Sequence, residues 1–88
     1  MAQVLESILN QAGLGHLLFE EKLRHNWLDL MGPKAAEITT LESLKGWTLK
    51  VKVENSVWRH ELSYQREEMR KRANQILGSE LVKDVILV

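Results

Sequence analysis

Cysteine is absent from this 88-residue chain. Disulfide scaffolds, thiolate metal sites and cysteine nucleophiles are excluded with it. Proline occurs once and glycine five times, too few for a collagen-like or low-complexity chain. Neither sign of charge is in excess, because twelve basic residues cancel twelve acidic ones. A stand-alone nucleic-acid binder normally shows its charge in the total, so only a local basic face is open here. No apolar run approaches the roughly 18 residues of a membrane-spanning helix. The N-terminal Met-Ala-Gln-Val-Leu-Glu lacks the basic start and apolar stretch of a signal peptide, which predicts a cytoplasmic protein. A chain of this length is read as one domain, residues 1–88, with a single core and no deep two-lobed cleft.

What remains is an ordinary globular composition, 44% apolar and 27% charged, with clear periodicities. Val4, Leu5, Ile8, Leu9 and Ala12 form one stripe, predicting an amphipathic helix over 2–12. Its polar side carries no basic residue, which disfavours a membrane-surface role. Gly13 and Gly15 interrupt it. Phe19, Leu23, Trp27 and Met31 then step by four, predicting a helix over 15–31 that stops at Gly32. Pro33 is suited to begin a short helical turn reaching Glu37.

From Ile38 the pattern becomes extended. Residues 38–53 read as a β-hairpin with its turn at Lys45-Gly46. Trp47, Leu49, Val51 and Val53 alternate with Thr48, Lys50 and Lys52, giving one packed face and one wet face. Asn55 and Ser56 offer an N-cap for a long helix over 56–77. Trp58, Leu62, Met69, Ala73 and Ile76 form its core stripe, and Gly78 its end. Val82 to Val88 reads as a buried strand. The order α-α-β-β-α-β predicts an α+β, two-layer domain with helices on one face of a small three-stranded sheet.

Catalytic motifs are few. His16, His25 and His60 form no metal-ligand pair at helical spacing. His16–Glu20 and Glu21–His25 are i,i+4 pairs and read as a solvated helix face rather than an acid–base site. Gly13-Leu14-Gly15 lacks the preceding strand and third glycine of a dinucleotide loop. No enzymatic activity, cofactor, metal or small-molecule substrate is expected.

The long helix carries more signal. Arg59, Arg66 and Arg70 step by seven and four along one edge of the core stripe, spanning about 16 Å. Neither Arg59 nor Arg66 has a carboxylate at i±3 or i±4. Glu67–Lys71 and Glu68–Arg72 pair on other faces, which leaves the arginine edge free. Such a row suits phosphate, since each guanidinium offers a planar fork of donors. It equally suits acids from another element, or water. Lys50 and Lys52 form a second basic element, or simply the polar side of a strand. Tyr64 lies opposite the arginine edge and is a protein-contact candidate. Trp47, beside the turn, is a candidate for stacking or partner contact. Trp27 and Trp58 read as core.

Trp27-x4-Gly32, Leu49-x-Val51-x-Val53, Asn55-Ser56-Val57-Trp58-x3-Leu62, Asn74-x2-Leu77-Gly78 and Val85-Ile86 together resemble the DciA family, over about Leu17 to Val88. The Ser-x-Trp-x3-Leu element after an alternating strand is the most specific part. The resemblance implies a KH-like domain that contacts the replicative DNA helicase and DNA, a role in helicase loading at replication, and a nucleoid-associated place in the cell. The Gly-x-x-Gly clamp of KH domains is not present. Two function classes follow. One is a helicase adaptor with weak phosphate contacts through Lys50, Lys52, Arg59, Arg66 and Arg70, and with Tyr64 and Trp47 facing the partner. The other is a general single-stranded DNA- or RNA-binding module. Zero net charge favours the adaptor.

Overall fold

The computed structural model describes residues 16–88. The expected N-terminal helix over 2–12 lies outside the described residues. The first described region is helical but not continuous: α1 spans His16–His25, α2 Trp27–Met31 and α3 Pro33–Ile38. The break expected at Gly32 is joined by an earlier one at Asn26. There the side-chain Nδ2 donates back to the Lys22 carbonyl at 2.9 Å. Side-chain bonds of this kind compete with the helical ladder. Gly32 itself has φ 86° and ψ 161°, a region open essentially to glycine alone. It ends α2 and starts α3, and Pro33 occupies the first turn of α3.

The extended region forms β1 (Thr39–Lys45) and β2 (Thr48–Val53), paired antiparallel. The register slips between Leu41 and Ser43. Glu42 is the extra residue of this bulge, and so both Leu41 and Leu44 face the core. The turn is Gly46-Trp47 rather than Lys45-Gly46, with φ of 59° and 61°. Positive φ at both central residues matches the twist of a tight hairpin. Trp47 is thus a turn residue, not the first inward residue of β2. Its strained backbone is held by the Phe19 ring, edge-to-face at 5.5 Å. Its carbonyl accepts the Lys83 N–H at 2.9 Å.

The expected long helix is two helices, α4 (Ser56–Ser63) and α5 (Arg66–Leu77). Asn55 caps α4 as expected, its Oδ1 accepting the Trp58 N–H at 2.8 Å. Gly78 ends α5 in the left-handed conformation. Strand β3 (Asp84–Leu87) pairs parallel with β2, giving a mixed sheet of order β1-β2-β3. Asn74, buried in α5, fixes the approach to β3: its Oδ1 accepts the N–H groups of Leu81 and Val82, and its Nδ2 donates to the Val82 carbonyl.

The fold is therefore α+β, a layer of helices on one face of a three-stranded sheet. Leu23, Leu30, Leu44, Leu49, Val51, Met69, Val82 and Val85 are fully buried between the layers. Thr40, Lys50, Lys52 and Ile86 lie on the opposite, exposed face. Leu62, Met69 and Ala73 are core, as the helical stripe predicts, but Trp58 and Ile76 are half-buried at its margin, and Leu77 joins the core instead.

Candidate nucleic-acid interface

The elbow between α4 and α5 organises the basic residues. Ser63 Oγ donates to the His60 carbonyl at 2.5 Å. The N–H groups of Tyr64 and Gln65 then turn back to Glu61 and Leu62, three residues earlier. This tightening ends α4 and lets α5 restart at Arg66. Wheel positions counted across the elbow do not hold. Tyr64 consequently does not lie opposite the arginines: it shares a depression with Ser63, Arg66, Glu67, Arg70, Asp84 and Val85. Tyr64 is 74% exposed. Its hydroxyl is 3.1 Å from His60 Nε2, and the two rings meet edge-to-face at 5.2 Å.

A neighbouring groove runs between α4 and the edge strand β3. It is lined by Ser56, Arg59, His60, Ser63, Arg66, Ile86 and Leu87. No carboxylate of the described residues lines it. Arg59 is half-buried: Nη2 donates to the Val53 carbonyl at 3.4 Å, and its buried Nε has no acceptor. Arg66 is exposed, and neither arginine has an ion-pair partner among the described residues. A further depression joins Arg59 to Lys52, with Glu42 and Glu54 also on its wall.

Arg70 is not part of this groove. Its Nη2 and Nε donate to the two oxygens of Glu67 at 2.6 and 3.0 Å, and its Nη1 lies 3.4 Å from Glu80. The expected Glu67–Lys71 pairing gives way to this bidentate fork, because the i−3 carboxylate matches the planar guanidinium better than a point charge. That hydrogen bond holds the Glu67 carboxyl below its ordinary range and raises the Arg70 pKa further. Glu68 does pair with Arg72, at 3.7 Å.

Lys50 also has a partner, with Nζ 3.6 Å from Glu42 Oε2 across the hairpin. Trp47 is half-buried, much of its indole committed to Phe19. The structure thus brings Arg59 and Arg66 together, with Lys52 nearby, and leaves Lys50 and Arg70 compensated. His60, Ser56 and Ser63 also line the groove, a role that the sequence pattern does not assign to them. The signal for His60 was its i,i+4 spacing to Tyr64.

No group of three or more His, Asp or Glu among the described residues is placed to hold a metal ion. No helix among them is long and apolar enough to cross a membrane. No curated protein matches the chain. The family described as Dna[CI] antecedent, DciA, matches residues 1–87. With the α+β fold and the motifs of α4 and α5 in place, the chain belongs to the DciA family, whose role is tied to loading of the replicative DNA helicase.

Proposed function

We propose that this protein is a non-enzymatic adaptor of the replicative DNA helicase that also makes weak, sequence-independent contact with DNA phosphates. The helicase part rests on family membership. The DNA part rests on one observation: Arg59 and Arg66 share a groove that no carboxylate of the described residues lines. Arg59 spends one donor on the Val53 carbonyl, but neither guanidinium has an ion-pair partner among the described residues, so both keep donors for phosphate oxygens. Lys52 extends the patch past Arg59. On this reading the domain is KH-like but holds the backbone with side chains instead of a Gly-x-x-Gly clamp.

Trp47 is the proposed anchor for the protein partner. A half-exposed aromatic on a rigid hairpin tip is the kind of residue on which interfaces concentrate energy. The patch is small and net charge is zero, so the DNA contact supports the helicase interaction rather than replacing it.

Two measurements test the reading. Size-exclusion chromatography of the chain with its host's replicative helicase yields a complex that survives nuclease treatment; separate elution would overturn the adaptor role. DNA titrated over a range of salt shows a log–log slope of roughly −2 on single strands, for about three phosphate contacts. A flat salt dependence would overturn the phosphate contact.

A further inference from the structure

The α4–α5 elbow places an exposed aromatic pair beside the free arginines. Tyr64 stands at the break, its ring supported from the side by His60 through the 5.2 Å edge-to-face contact and the 3.1 Å hydrogen bond. The two rings stand nearly perpendicular, and at 74% exposure most of the Tyr64 ring is open to solvent. Arg66 borders both the Tyr64 depression and the groove that holds Arg59. A planar ring exposed to solvent, next to two guanidinium groups with no ion-pair partner among the described residues, fits a polymer that alternates aromatic bases with phosphates. A duplex keeps its base faces stacked on one another and offers none to Tyr64. An unpaired strand offers every one of them.

We infer that Tyr64 is a stacking platform for an unpaired base, and that the Arg59–Arg66 groove therefore takes single-stranded nucleic acid in preference to duplex. This rests on the phosphate reading of the groove and names the form of ligand it holds. The two carboxylates near the platform are already engaged. Glu67 is held by Arg70, and Asp84 Oδ1 accepts the Val85 N–H at 2.8 Å. The Glu67 charge is thereby compensated by Arg70, while Asp84 keeps its charge on the wall of the Tyr64 depression, outside the Arg59–Arg66 groove. His60 steers the ring: as a hydrogen-bond partner of the hydroxyl, it limits the rotations an isolated tyrosine would sample. The ordering that a stacked base requires is thus partly in place before binding.

The test uses the full chain with two probes, a single-stranded oligothymidylate and a duplex of the same length. Tyr64→Ala, Tyr64→Leu, Tyr64→Phe and the double variant R59Q/R66Q are compared by titration over a range of salt, after their melting curves are matched to the parent. Tyr64→Ala weakens binding of the single strand by roughly 5- to 150-fold, the worth of one stacked base. It leaves duplex binding unchanged, and it leaves the salt slope unchanged because no phosphate contact is lost. Tyr64→Phe keeps most of the single-strand affinity, whereas Tyr64→Leu, apolar but not planar, does not. R59Q/R66Q weakens both probes and flattens the slope. If Tyr64→Ala binds the single strand as the parent does while R59Q/R66Q is impaired, the stacking role is overturned and the phosphate groove stands. If R59Q/R66Q binds both probes normally, the groove reading itself falls. If Tyr64→Ala loses the helicase and keeps the single strand, Tyr64 is a protein contact and the inference is wrong.

Discussion

Glu20 Oε1 accepts the backbone N–H of Leu44 at 2.6 Å, joining α1 to the outer edge of β1. Glu20 is only 7% exposed. Arg24, one turn on, lies 3.7 Å from the other carboxylate oxygen and donates to the Leu41 carbonyl at 3.3 Å. The two side chains thus bond to backbone groups on either side of the β1 bulge and cover an edge that would otherwise invite another strand. Glu20→Ala leaves the Leu44 N–H buried without an acceptor. The expected cost is about 1.5–3 kcal/mol, or a fall in Tm of roughly 6–24 °C for a domain of this size. Glu20→Gln keeps the acceptor and costs less. Urea or thermal unfolding of both variants checks the order.

Gly32 is expected to resist substitution although its surroundings are empty. A Cβ there would meet nothing within 4 Å. The penalty lies in the backbone, since φ 86° with ψ 161° is closed to side-chain-bearing residues. Gly32→Ala is therefore expected to cost about 1–3 kcal/mol with no change in m-value. An unchanged midpoint would show that α2 and α3 can join in another conformation.

Trp58 packs against the core margin rather than inside it. Full aromatic truncation in a core costs about 3–5 kcal/mol. A half-buried indole removes less apolar area from water, so Trp58→Ala is expected to cost about half of that. Calorimetry against Leu62→Ala, whose side chain is 3% exposed, gives the comparison. Leu62→Ala should be the more damaging of the two, despite the smaller side chain.

Arg70 serves as the internal control for the DNA groove. Its charge is committed to Glu67 and Glu80. Arg70→Gln is expected to leave the salt slope of DNA binding within error of the parent, whereas Arg66→Gln lowers its magnitude by about one unit. A slope reduced equally by both would mean that DNA displaces Glu67 from Arg70.

The elements themselves were legible in the residues, because they depend on short-range periodicity and on end signals. Asn55, Gly78, Gly32 and Pro33 act within a turn of their own position, and each does what its chemistry predicts. Alternation in Leu49, Val51 and Val53 named the inner face of β2 correctly. The two helix breaks left a weaker trace, in side chains that bond back to their own helix at Asn26 and Ser63. Neither residue is a helix breaker by composition, and a wheel drawn through them misplaces whatever follows. Such a wheel puts Tyr64 opposite the arginines, whereas the elbow turns it to the side of Arg66.

Sequence by itself determined the order of helices and strands, the inner face of β2, the capping residues and the family, since all of these are carried by residue identity at fixed local spacing. Tertiary structure decided the pairings that local spacing does not reach. Glu80 reaches Arg70 from ten residues away, Glu42 reaches Lys50 across the hairpin, and Glu20 turns inward to a backbone N–H in β1. Ion pairing depends on distances of a few ångströms between groups remote in the chain. Helical spacing set Arg59 and Arg66 apart from Arg70, which has Glu67 three residues before it, and the elbow and the β3 edge brought those two into one groove.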